Sequence, residues 1–181
     1  MSDLDVLKRL IQGKALITLE DHYNGKKKVT LREPQTENSY LELHNVPYDS
    51  LVIDLDSAFS NDNFFQGSQG ECKRADFIIV SEDIKKIVFI EMKRATAPLK
   101  NIIKQLKGSL CAFEYTQSII KHFFGKNDYL RDYEHRYVSV TQTGLKKRKT
   151  EMTPTAGRHD APEKPLKLSW ANQIQFKMIA A

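Results

Sequence analysis

The stretch RADFIIVSEDIKKIVFIEMKRA, Arg74 to Ala95, sets three ionisable side chains, Asp76, Glu91 and Lys93, among Val, Ile and Phe that otherwise describe buried strand. The apolar runs flank SEDIKK, a polar link of hairpin size, and a symmetric pairing centred between Asp83 and Ile84 sets the register. In it Ser81 faces Lys86, Ile78 faces Phe89 and Asp76 faces Glu91. Side chains alternate along a strand, so Glu91 and Lys93 project to one side, and Asp76 joins them at roughly 5 Å between Cβ atoms. Two carboxylates placed opposite each other repel, and an apolar setting raises the cost unless a proton, Lys93 or a metal ion offsets it. A hard divalent cation meets that need best, with one oxygen each from Asp76, Glu91 and the Met92 backbone carbonyl. The competing reading ends an edge strand in solvent at Glu91 and Lys93 and leaves Asp76 as a strand-start residue.

The elements that must hold these residues follow from periodicity. Both faces of the hairpin are apolar, which predicts a central position covered on both sides. After Lys93, Leu99, Ile102, Ile103, Leu106, Leu110, Phe113, Ile120 and Phe124 recur at the helical period, predicting one long helix from about 97 to 124, with Thr96 as cap and Pro98 in its first turn. RYVSVTQT then reads as a strand, so strand, helix and strand form a crossover joining parallel strands. Upstream, Asp3 to Gln12 has helical spacing. Residues 15 to 33 read as a hairpin about the Asn-Gly of HYNGK, and YDSLVIDLD as a strand entering a polar loop. Residues 145 to 169 hold seven Lys/Arg against three Asp/Glu and three of the six prolines, which predicts loop or disorder. WANQIQFKMI is apolar enough to dock back as strand or short helix.

An Asp ending one strand and Glu-x-Lys on the next resembles the PD-(D/E)XK nuclease superfamily, over about residues 70 to 141. The resemblance implies a restriction-endonuclease-like α/β core in which Asp76 and Glu91 bind magnesium and Lys93 positions the attacking water and stabilises charge on the phosphate. Gln105, twelve residues after Lys93, resembles the helix glutamine of the RecB-type branch. Ala75 stands where many members have proline, and Ser109 where RecB-type members have tyrosine. Members of the family often add a carboxylate from an early helix. Here Asp5, Glu20, Glu42, Asp54 and Asp56 are all open to that role.

At 181 residues, 40% of them hydrophobic, the chain can close one sizeable core, so a single domain over 1–181 is expected. Lys and Arg outnumber Asp and Glu by 28 to 23, which suits a polyanionic partner. Lys73, Arg74, Arg94 and Lys100 surround the proposed site as a phosphate-binding rim, and Lys104 and Lys107 share the helix face of Lys100. The run Lys146-Lys147-Arg148-Lys149 reads as a solvated loop, with nucleic-acid contact or nuclear import as the alternatives. Tyr23, Phe64 and Phe65 lie in loops, as stacking residues or loop anchors. Cys72 and Cys111 make no CxxC pattern, and the five histidines share no metal-ligand spacing. The start lacks a signal-peptide pattern and no apolar run spans a bilayer, so an intracellular, cytoplasmic or nuclear protein without a membrane partner is expected. The expected architecture is a mixed sheet with a central hairpin, the long helix across one face and the amino-terminal helix across the other. The expected activity is Mg²⁺- or Mn²⁺-dependent hydrolysis of phosphodiester bonds, in DNA ahead of RNA, by endo- or exonuclease action, with a homodimer compatible. The alternatives are a catalytically silent nucleic-acid-binding or protein-interaction module on the same fold, and a ribonuclease with the same site.

Overall fold

The computed structural model describes residues 2–33, 36, 38–143, 149–153 and 158–181. The chain opens with α1 (Asp3–Leu10), started by a capping box: Asp5 N–H donates to Ser2 Oγ (3.2 Å) and Ser2 N–H to Asp5 Oδ2 (3.0 Å). Five strands follow: β1 (Leu16–Ile17), β2 (Glu20–Asp21), β3 (Lys27–Arg32), β4 (Tyr40–Val46) and β5 (Ser50–Asp54). After the single turn α2 (Leu55–Ala58) come β6 (Phe77–Ser81), β7 (Lys86–Lys93), the 26-residue α3 (Leu99–Phe124) and β8 (Glu134–Thr141). The chain closes with β9 (Glu151–Thr153), β10 (Leu166–Ser169), β11 (Gln173–Gln175) and α4 (Phe176–Ala180).

The architecture is α/β. A mixed seven-stranded sheet runs β1-β5-β6-β7-β8-β10-β9, and a four-stranded sheet runs β11-β4-β3-β2. The β6–β7 hairpin has the register its residue pattern predicts, Phe77↔Ile90 through Ser81↔Lys86, and sits at the centre of the large sheet. β7 and β8 pair in parallel through the α3 crossover. One face of the hairpin, Ile78, Val80, Ile87 and Phe89, packs on Ile102, Leu106, Phe113 and Ile120 of α3 and on Leu4, Val6 and Leu7 of α1. The other, Phe77, Ile79, Val88, Ile90 and Met92, packs on Val29, Leu31, Leu41 and Leu43 of the second sheet and on Phe176 and Ile179 of α4. The amino-terminal helix therefore shares the face of the long helix, contrary to the sequence expectation. The opposite face is closed by a sheet.

The expected 15–33 hairpin survives only at its tip, where Glu20 pairs with Lys28 and Asp21 with Lys27 around the left-handed Asn24 and Gly25 (φ 58° and 72°). Leu16 and Ile17 leave it to pair with Ile53 and Val52 of β5. β3 takes β4 as its long partner instead, because Leu41 and Leu43 alternate with polar Glu42 and His44 and match Leu31 and Val29 across the ladder. The expectation of loop or disorder over 145–169 holds as loop over 158–165 and fails at β9 and β10. Leu166 and Leu168 bury beside β8, with Lys167 between them, and β9 pairs outside them. Of the basic run, Lys146, Lys147 and Arg148 lie outside the described residues. Thr96 does not cap α3: Pro98 holds that position, its carbonyl accepting from Asn101 (2.9 Å), and Gly125 (φ 69°) ends the helix. WANQIQFKMI supplies both a strand and a short helix, β11 and α4. Among the described residues, no helix is long and apolar enough to cross a membrane.

Candidate active site

The sheet ladder between β6 and β7 stops at Phe77↔Ile90, and the next rung is made by a side chain: Met92 N–H donates to Asp76 Oδ2 at 2.6 Å. A strand residue projects N–H and C=O to the same edge, so the Met92 carbonyl also lies on the Asp76 side. Asp76 is held from two directions. Its carbonyl accepts from Leu55 N–H (2.9 Å) and Asp56 N–H (3.3 Å) at α2. Just before it, Ala75 N–H donates to Ser109 Oγ of α3 (2.6 Å), which itself donates to the Gln105 carbonyl (3.2 Å). Ser109 thus ties the start of β6 to the long helix. Gly108 lets the two approach, since a Cβ there would meet the Lys73 carbonyl oxygen at 1.6 Å.

Glu91 lies on the α3 face of β7, beside the small Ser139 of β8, and is fully buried at 0% exposure. An edge strand ending in solvent is thereby excluded. Lys93 Nζ stands 2.6 Å from Glu91 Oε1 as an ion pair, and Oε2 has no partner among the described residues. The ion pair does not offset the burial. Burial pushes Asp76 up to about 7, against the Met92 N–H and Lys93, and burial reinforced by Asp76 pushes Glu91 up to about 9, against Lys93. Burial also acts to lower Lys93, but the adjoining Glu91 carboxyl outweighs it and holds the ammonium above its ordinary value.

Lys93 opens onto a cleft of about 330 Å³ whose walls include Gln105, Lys73, Arg74, Asp56 and Asn101. Lys93 thus shares the cleft with Gln105 and two of the four basic residues expected at the rim, whereas Asp76 and Glu91, both buried, are not among the cleft walls and adjoin it through Lys93. Arg74 is occupied, with Nε 3.2 Å from Asp56, Nη1 3.8 Å from Asp62, and hydrogen bonds to the Cys72 and Asp56 carbonyls. Arg94 and Lys100 are exposed and stand outside the cleft walls, while Lys107 pairs with Glu163 at 2.7 Å. Of the five carboxylates left open by the sequence, only Asp56 lines the cleft. Asp5 serves the α1 capping box, Asp54 caps α2, Glu20 pairs with Lys28 and Glu42 with His44. Glu33, held by Ser39 Oγ (3.0 Å), adds negative potential at Asp76 and Lys93. No sequence signal marks it, because it reaches the site from the second sheet. Gly108 did carry a signal, a glycine inside an otherwise regular helical pattern.

Among the described residues no three His, Cys, Asp or Glu side chains form a ready-made metal cage. The donors present are two buried carboxylates, one with an orphaned oxygen, and a backbone carbonyl. That set fits magnesium, which keeps several of its own waters and needs only one or two carboxylates from a protein. No family model, no curated protein and no solved structure matches the chain.

Proposed function

We propose that this protein is a metal-dependent nuclease, acting on DNA, whose sheet and α3 form a restriction-endonuclease-like core of the PD-(D/E)XK type. The observation that carries the reading is Glu91: a fully buried carboxyl with an unpartnered oxygen, beside Asp76 and in contact with Lys93, which lines a basic cleft. A purely binding module has no use for such a pair, since burying like carboxyls side by side costs stability. Asp76, Glu91 and the Met92 carbonyl are the groups that would hold the cation. Bound magnesium supplies Lewis-acid polarisation of the phosphate and acidifies a coordinated water.

The chain's own groups supply the rest. Lys93 is a cation with three donors and no acceptor, so it cannot ligate metal and acts instead on the nucleophilic water and the phosphate oxygens. Its 2.6 Å contact with Glu91 aims the ammonium toward the carboxyl pair. Gln105 offers an amide at the cleft wall, and Lys73 offers a cation to the phosphate backbone. Arg74 holds α2 and the 60–74 loop against the site through Asp56 and Asp62.

The test is incubation with plasmid, linear, single-stranded and branched DNA, and with RNA, with Mg²⁺ or Mn²⁺ or with EDTA. Cleavage is expected only with metal, on DNA ahead of RNA, and not by Glu91→Gln. Cleavage surviving in Glu91→Gln, or no cleavage of any of these substrates, refutes the proposal.

A further inference from the structure

The surface lined by α3 continues past the cleft. Asn101 and Gln105 line the cleft, and Gly108, Ala112 and Tyr115, at successive spacings of three and four on the same helix face, line a second groove of about 460 Å³. The loop from Phe59 to Phe65 forms its other wall. Phe64 is 83% exposed, Phe65 46% and Tyr115 58%. Phe64 and Phe65 meet edge to face at 4.9 Å, and Phe59 and Tyr115 lie tilted at 6.4 Å. Exposed aromatic rings gathered around one groove are apolar surface that a soluble domain seldom leaves in water without use.

Cleft and groove share a wall. Cys72, in the cleft, donates through its thiol to the Phe65 carbonyl (3.6 Å), and Asn61, in the groove, donates through Nδ2 to the Glu71 carbonyl (3.0 Å). Gly108 lies directly against the Lys73 backbone. The two adjoin along one helix face: Gln105 and Gly108 are about 5 Å apart along the axis and Tyr115 is about 15 Å from Gln105, a span that a few nucleotides of one strand cover.

The geometry points to an unpaired nucleobase as the occupant of the groove: the strand whose phosphate meets Lys73 and Lys93 stacks a base a few nucleotides along on Phe64, Phe65 and Tyr115. This rests on the nuclease reading of the cleft and narrows its substrate to nucleic acid with a single-stranded segment beside the scissile phosphate. A base inside a duplex has both faces covered by its neighbours and cannot enter.

The test is equilibrium binding, in EDTA, of a labelled oligothymidine and of a blunt hairpin duplex to wild type, Phe64→Ala, Tyr115→Ala and Phe64→Trp. The alanine variants should lose roughly tenfold affinity for the single strand, with the duplex changed by less than about twofold, and Phe64→Trp should retain binding. A 2-aminopurine placed in the oligonucleotide should be quenched by wild type and not by Phe64→Ala, whose melting temperature should match wild type because the ring is exposed. Unchanged single-strand affinity in both alanine variants, or an equal loss on the duplex, overturns the inference. A shift in oligomeric state without a change in binding also overturns it, by assigning the groove to a second copy of the chain. Wild type that binds and quenches in this way but cleaves nothing refutes the nuclease reading and leaves the groove assigned. A cleaving wild type whose alanine variants bind single strands like the parent refutes the groove alone.

Discussion

Asp76 and Glu91 bind their protons more tightly in the folded chain than in the unfolded one, where carboxyls titrate near 4. Their contribution to stability is therefore complete below about pH 4 and is lost as pH rises through about 7 and about 9. Wild type should lose on the order of a few kcal/mol between about pH 6 and pH 9, and the Asp76→Asn, Glu91→Gln double variant should lose less. Magnesium should raise the wild-type melting temperature, more at alkaline pH because binding displaces protons, and leave the double variant unmoved. Scanning calorimetry across pH, with and without Mg²⁺, decides this, and an equal metal response in the variant would place the cation elsewhere. Lys93 separates chemistry from binding. Lys93→Ala should keep nucleic-acid affinity within a few-fold while single-turnover cleavage falls by roughly 100-fold or more. Lys93→Arg should rescue little, since the guanidinium is bulkier and keeps its proton. Wild-type cleavage by Lys93→Ala would sink the assignment of the site.

At the scale of elements, the junction of α3 with the start of β6 holds the site in register. Gly108 and Ser109 are adjacent on the helix and do different work: one removes a side chain so the Lys73 backbone can approach, the other accepts the Ala75 N–H. Alanine at 108 has the better helix propensity, by about 1 kcal/mol. Gly108→Ala should nevertheless destabilise by about 1–3 kcal/mol, because the clash is with backbone that no rotamer change relieves. Ser109→Ala strands a buried N–H and should cost about 1–3 kcal/mol. Urea titrations measure both, and a Gly108→Ala variant as stable as wild type would show that the loop stands off the helix in solution.

For the whole molecule the deciding property is its charge of +5, set on a fold whose cleft beside Lys93 is basic. Affinity for DNA should fall steeply with salt as counterions are released. Replacing Lys146, Lys147, Arg148 and Lys149 by alanine should flatten the log-log slope by up to about 0.9 for each side chain that meets a phosphate, with cleavage at low salt retained. Affinity independent of salt would remove nucleic acid as the partner. The second sheet matters at this scale too. It closes the far face of the hairpin, while β5 and β8 pair on either side and keep β6 and β7 internal, so the carboxyl pair sits at a buried strand end instead of on an edge.

The sequence by itself determined what is local. The β6–β7 register followed from a two-residue period and a polar link, and Asp76, Glu91 and Lys93 converged from that register alone. The 26 residues of α3 followed from a 3.6-residue period, and Gln105 came to the cleft with it. Tertiary structure decided what depends on partners far along the chain. Leu16 and Ile17 read as half of a hairpin until β5 offers them an edge, and Leu166 and Leu168 lie in a basic, proline-bearing stretch that becomes a strand only beside β8. A helix eight residues long carries no record of which sheet face it will cover, so packing alone decides that α1 joins α3. Asp56 emerged from five candidate carboxylates, and Arg74 became a brace in place of a free cation, for the same reason. Charge and spacing are written in the chain, but ion pairing depends on distances that only packing sets.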